Sequence, residues 1–292
     1  MILKELRQIT IIGLGLLGAS LALAVRRSMG GVRVVGWGHR GQTRVKAREQ
    51  GLCDEVFEDI GQSVEGADLV IIASPIGTFE EIFEKIGGYL GNGTVVTDVG
   101  STKVLPHKWA QKLPKTAHYI GSHPIAGSEQ RGLEFARDDL FEKANCILTY
   151  GRKVDAGSLE LLRYFWRELG CDVYEMGPAR HDRLLANVSH LPHVAAAALV
   201  NASADEDLKM AGKGFMDTSR IASGPANIWT DIVTTNPENI CKGIDRLVGE
   251  LNKMKAAILK KDAKRIGSLL EKARAKRSKM IEFKLNKKEI LS

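Results

Sequence analysis

Six residues near the start of the chain, GLGLLG, narrow its fold more than any other feature. They place Gly13, Gly15 and Gly18 at GxGxxG spacing, between the apolar run QITIIG (8–13) and a segment of helical character. A strand turning into a helix over three such glycines opens a dinucleotide-binding βαβ unit. The first glycine makes the turn, the second admits a pyrophosphate close to the backbone, and the third lets helix pack on strand. Main-chain N–H groups of Leu14, Leu16 and Leu17 then border the anion with the glycines. The same run, preceded by Lys4 and Arg7 and ending in a small-x-small ALA, imitates a secretory signal. Glycines at functional spacing argue against that reading, and no other apolar stretch is long enough to span a membrane.

Further β-rich runs follow at VRVVGW (32–37), DLVIIAS (68–74), GTVVTDV (93–99), AHYIGSH (117–123), NCILTY (145–150) and CDVYEM (171–176). Helical patterns such as TFEEIFEKIGGYL and AGSLELLRYFWREL lie between most of them, the signature of βαβ units around a parallel sheet. After Gly177-Pro178 the β-rich runs stop and Ala- and Leu-rich segments take over. The expected class is α/β: an N-terminal Rossmann-type doubly wound parallel sheet (1–177) and a C-terminal all-helical domain (178–292). Ligands of open α/β sheets bind outside the carboxyl ends of the strands, so Ser74 and Pro75 are further candidates for cofactor contact.

The acid that would hold a ribose 2′-hydroxyl is expected at the end of the second strand, and that place is Gly38. Without a carboxylate nothing repels a 2′-phosphate, which Arg40, with His39 and Arg44, is placed to accept. NADP is therefore favoured over NAD as cofactor.

The net charge of +7 could suggest nucleic acid. Much of the excess lies after residue 250, where Lys and Arg alternate with apolar residues as on a solvated helix face. Elsewhere there is no aromatic stacking platform and no reading helix, so no nucleic acid partner is expected. Cys53, Cys146, Cys171 and Cys241 form no CxxC pair, which suits reduced thiols in a cytoplasm.

Two more segments close the fourth and fifth runs: TDVGSTK (97–103) and GSHPIAGSEQRG (121–132). They should gather Ser101, Lys103, His123, Ser128 and Glu129 near the nicotinamide end, with Pro124 holding His123 extended. A histidine there is poised to accept a proton near neutral pH. His190 and His193, three apart in SHLPH, share a helix face; no third ligand accompanies them, so no metal is expected. Pro192 between them should kink or end the preceding turn.

Taken with HDRLLANVSHLPH (181–193) and FMDTSRIASGPANIWTDI (215–232), these motifs resemble the prephenate dehydrogenase family, arogenate and cyclohexadienyl dehydrogenases included, over nearly the whole chain. The resemblance implies oxidative decarboxylation of prephenate to 4-hydroxyphenylpyruvate and CO2, a step toward tyrosine. His123 would take the proton of the ring hydroxyl, Ser101 would hydrogen-bond that hydroxyl, and Ser128 would touch substrate. Arg220 would bind a substrate carboxylate with its planar fork. His193 would line the pocket with His190 in support, and Lys213 and Trp229 are further pocket candidates. Met216 stands where some relatives carry a basic residue, a gap that Lys213 could fill. Glu129 and Asp182 are expected in an ion-pair network with Arg220 or another base near the mouth of the site. A homodimer through the helical domain completes the expectation, because a long Ala-rich apolar face would otherwise be exposed. The alternatives are another two-domain small-acid dehydrogenase, which should carry a catalytic lysine in the helical part, and an NADP-binding regulator without catalysis.

Overall fold

Near-continuous apolar runs bounded by glycine are suited to strands buried on both faces, and the first run is one of them. The computed structural model describes residues 6–126, 130 and 132–286. The strands of its main sheet are β1 (Gln8–Ile12), β2 (Arg33–Trp37), β3 (Glu55–Phe57), β4 (Leu69–Ile72), β5 (Val95–Asp98) and β6 (His118–Tyr119), all parallel, in the order β3-β2-β1-β4-β5-β6. Helices α1 (Leu16–Ser28), α2 (Gly41–Glu49), α3 (Ile60–Val64), α4 (Phe79–Ile86) and α5 (Val104–Trp109) connect them. The order reverses between β1 and β4, which opens a crevice at their carboxyl ends. The N-terminal apolar run is spent on this core: Ile9, Ile11 and Ile12 of β1 and Leu21, Ala22 and Val25 of α1 are fully buried. Among the described residues no helix is long and apolar enough to cross a membrane.

The run 117–123 differs from its expected form. It breaks at Ile120, with β6 finishing the parallel sheet and β7 (Gly121–Pro124) opening a second one. There β7 pairs antiparallel with β8 (Asn145–Thr149), and β8 pairs parallel with β9 (Asp172–Met176). The bend needs a bare backbone, since a Cβ on Gly121 would lie 2.6 Å from Thr149 Oγ1 and 2.8 Å from Lys103 Cδ. Thr97 Oγ1 and Ser122 Oγ, 2.6 Å apart, join the two sheets, and Trp166 Nε1 donates to the same Ser122 oxygen at 3.0 Å. Trp166 belongs to α6 (Ala156–Glu168), which Asp155 caps by accepting the Ser158 N–H at 2.7 Å.

After β9 the described chain is helical: α7 (Pro178–Leu185), α8 (Leu191–Asn201), α9 (Asp205–Leu208), α10 (Lys213–Ser219), α11 (Ala226–Thr235), α12 (Pro237–Leu259) and α13 (Ala263–Asn286). Pro192 neither ends nor breaks the helix. The missing N–H is absorbed by a π turn over Ala186–His190, which joins α7 to α8. By compactness the chain divides into Met1–Pro237 and Glu238–Ser292, the second made of the α12 and α13 pair. All groups of the candidate site lie in the first unit.

Candidate active site

The glycine loop after β1 fits a dinucleotide. Gly13 adopts φ +104°, and a Cβ there would meet the Ala73 and Ser74 backbone at 2.7 Å, so turn and crevice wall both require glycine. On Gly18 a Cβ would fall 1.8 Å from the Gly13 carbonyl oxygen, whereas above Gly15 there is open space. Gly15 is the N-cap of α1 without a side-chain cap, and no acid occupies the first turn. The helix N-terminus therefore offers uncapped N–H groups and positive partial charge to a pyrophosphate. Leu14 turns its side chain into the core, leaving only its main chain for a ligand; Leu16 and Leu17 are half-buried. Ser74 and Pro75 begin the turn after β4, where Ser74 Oγ pairs with Thr78 Oγ1 at 2.9 Å.

At the end of β2, His39 and Arg40 are exposed. Arg44 instead donates from Nη1 to the carbonyls of Gly38 (2.8 Å) and His39 (3.1 Å), so it shapes this loop. A Cβ on Gly38 would make only ordinary contacts, with Thr43 Cγ2 nearest at 3.5 Å, so close packing does not by itself require glycine here.

The turn after β5 wraps around a buried cation. Lys103 Nζ donates to Asp98 Oδ1 (2.5 Å) and to the carbonyls of Gly100 (2.7 Å) and Thr102 (3.2 Å), with both members of the ion pair 0% exposed. Asp98 also accepts from Gly100 N–H and from the Tyr119 hydroxyl at 2.6 Å. Burial and the Asp98 charge push the Tyr119 phenol well above its ordinary range. Lys103 is thus a structural charge beneath the site, while Ser101, half-buried, sits on the turn it organises.

His123 is buried at the end region of β7, and its Nδ1 lies 2.8 Å from His181 Nε2. His181 Nδ1 in turn lies 2.8 Å from Asp182 Oδ1. Asp182 accepts the main-chain N–H of Lys103 at 2.7 Å and of Val104 at 2.8 Å, tying the start of α7 to the Ser101 turn. This corrects the expected place of Asp182: it is buried under the site and serves a histidine, not a network at the mouth. Burial, followed by the nearby His181, Lys103 and His190, holds His123 well below the ordinary histidine range, so its ring is neutral.

His190 and His193 share a face, as their spacing requires. His193 stacks on Trp229 with ring centroids 3.5 Å apart, and the Trp229 edge also meets His190. Burial pushes His190 down to about 4 and lowers His193 as well. Asn236, which sequence reasoning passed over, lies 3.3 Å from His190 Nδ1 and donates to the Asp182 carbonyl at 2.8 Å. His190 Nε2 and His193 Nδ1 are buried without a hydrogen-bond partner, polar atoms that a bound polar molecule would satisfy. Gly224 packs against both His193 and Trp229, which sets the turn bearing exposed Arg220 (Arg220–Ser223) beside this pair. Lys213 and Met216 are exposed on α10. Asp231 of α11 accepts the Gly77 N–H at 3.1 Å, joining these helices to the turn after Pro75. Ser128 and Glu129 lie outside the described residues. Among the described residues no group of three His, Cys, Asp or Glu side chains is arranged so that it could hold a metal ion.

Comparison with known proteins bears on the whole arrangement. The family model "Prephenate dehydrogenase, nucleotide-binding domain" matches residues 21–175, and "Prephenate dehydrogenase, dimerization domain" matches 177–272. The chain is 34% identical to a Bacillus subtilis prephenate dehydrogenase over 88% of its own length and 72% of the relative's. It is 30% identical to a Zymomonas mobilis cyclohexadienyl dehydrogenase, covering 88% and 90%. A prephenate dehydrogenase from Aquifex aeolicus, crystallised with hydroxyphenyl propionate and NAD+, superposes with a TM-score of 0.88 at 34% identity, covering 95% of this chain and 99% of that one. Synechocystis arogenate dehydrogenase gives 0.81 at 31% identity, covering 94% and 99%. With both domain models matched in order over residues 21–175 and 177–272, and relatives at 30–34% identity over most of the chain, the chain belongs to the prephenate dehydrogenase family.

Proposed function

We propose that this protein is an NAD(P)-dependent dehydrogenase that converts prephenate to 4-hydroxyphenylpyruvate and CO2 in tyrosine biosynthesis. The observation that carries the reading is a neutral, buried His123 hydrogen-bonded to His181, in a helical and strand framework that also buries unpartnered nitrogens of His190 and His193. The dinucleotide, when bound, supplies the hydride acceptor. His123 takes the proton of the substrate's ring hydroxyl as that carbon becomes ketonic, and ring aromatisation accompanies loss of CO2. Ser101 orients the hydroxyl, while Arg220, with Lys213, meets the substrate's carboxylates. His190 and His193 present their unpartnered nitrogens to the same molecule. Stacking on Trp229 holds the His193 ring in place.

For the cofactor we favour NADP, because no acid follows β2 and His39 and Arg40 stand exposed there. We place a domain boundary between residues 177 and 178 and assign the helical part to a homodimer in the cytoplasm. Support for the dimer comes from exposed apolar side chains on α12 and α13, including Leu251, Leu259, Leu270 and Phe283. Relatives named for arogenate make the choice of substrate the first test. Purified protein is assayed with prephenate and arogenate, each with NAD and NADP. Turnover is expected with prephenate, and no reduced nicotinamide in any of the four combinations would refute the reading.

A further inference from the structure

We propose that His181 is a positioning residue which, anchored by Asp182, fixes the tautomer of His123 so that its Nε2 carries the lone pair. The inference deepens the reading of His123 as the base and rests on it.

An ionised carboxylate only accepts hydrogen bonds. Asp182 already receives two main-chain N–H groups, so the 2.8 Å contact with His181 Nδ1 requires the proton on that nitrogen. Burial keeps His181 neutral, which leaves Nε2 of the same ring unprotonated. That Nε2 is 2.8 Å from His123 Nδ1 and must therefore accept a proton from it. The proton of neutral His123 thus sits on Nδ1, and Nε2 is bare. When His123 Nε2 takes the hydroxyl proton, one O–H bond breaks and one N–H bond forms. The new imidazolium keeps its Nδ1–H bond to His181, with the Asp182 charge behind it. The other groups that face His123 are Lys103 from the β5–α5 turn, His190 from the π turn and the Cys146 thiol from β8. None of them supplies an acceptor to Nδ1 in place of His181.

The test combines nitrogen-15 NMR of histidine-labelled protein with steady-state kinetics of His181→Leu and His181→Gln. Wild-type His123 is expected as the Nδ1–H tautomer; an Nε2–H tautomer would overturn the inference, even if the variants fail to fold. His181→Leu should lower kcat on the order of a hundredfold with little change in KM. His181→Gln, whose amide oxygen can face His123 Nδ1, should recover most of the loss. An unchanged kcat in a folded His181→Leu would also overturn it. If wild-type protein oxidises neither prephenate nor arogenate, the functional reading fails, while the NMR result still decides the hydrogen-bond chain.

Discussion

The two ends of the site are built differently. Around His123 nearly every polar group is buried and matched: Lys103 with Asp98, Asp182 with two main-chain N–H groups, His181 with both neighbours. At the end of β2, by contrast, His39 and Arg40 reach into solvent from a loop whose internal polar contacts come from Arg44. In a dry interior a misplaced proton or charge is costly, so geometry there is held from several sides. An exposed loop can change a side chain at little cost to the fold. On the proposed reading, the contrast separates the chemistry, which burial would fix, from the choice of dinucleotide, which the exposed loop would tune.

The largest break in this contrast should come from below the site. Lys103→Met leaves Asp98 charged and dry, and is expected to cost about 3–5 kcal/mol of stability, the usual penalty for orphaning a buried charge. Denaturant unfolding checks it, and an unchanged midpoint would mean that water reaches Asp98. Next comes Gly18→Ala, whose methyl would lie on the Gly13 carbonyl. It should destabilise the fold by about 1–3 kcal/mol through overpacking and weaken dinucleotide binding, both visible in melts with and without cofactor.

Acid probes the buried half alone. Burial pushes His107 and His190 down to about 4 from 6.5. Between those values the unfolded chain binds more protons than the folded one. The stability these groups contribute is therefore present above pH 6.5 and lost as pH falls toward 4. A melting temperature that declines over this window, less steeply in His107→Asn, is the expected record. The smallest effect belongs to the exposed half. Arg40→Ala should weaken NADP by about tenfold and NAD hardly at all, the scale of one exposed charge-assisted contact. Equal losses for both would remove Arg40 from the phosphate site.

The same division explains what the sequence revealed. The glycine loop, the main strands and the helical turnover after Pro178 are local patterns, written in spacing and periodicity. The break in 117–123 depends on a partner strand more than twenty residues away and on the crowding of Gly121 by Thr149, which no local window contains. His181 lies inside the motif HDRLLANVSHLPH, yet its meaning comes from His123, 58 positions earlier. Acids are usually exposed, whereas Asp182 is buried. An adjacent His-Asp pair at a helix start was the available clue to its burial. Asn236 had no such clue, since it meets Asp182 and His190 across 54 and 46 positions of sequence.

Catalysis by His123 is tested most directly in His123→Ala, following reduced nicotinamide, 4-hydroxyphenylpyruvate and CO2 together from prephenate while dinucleotide binding is measured in parallel. The three products are expected to fall in equal proportion by about two to four orders of magnitude, with the dinucleotide still bound. Turnover within about tenfold of wild type would contradict it, because general-base catalysis by this histidine should be worth far more than that.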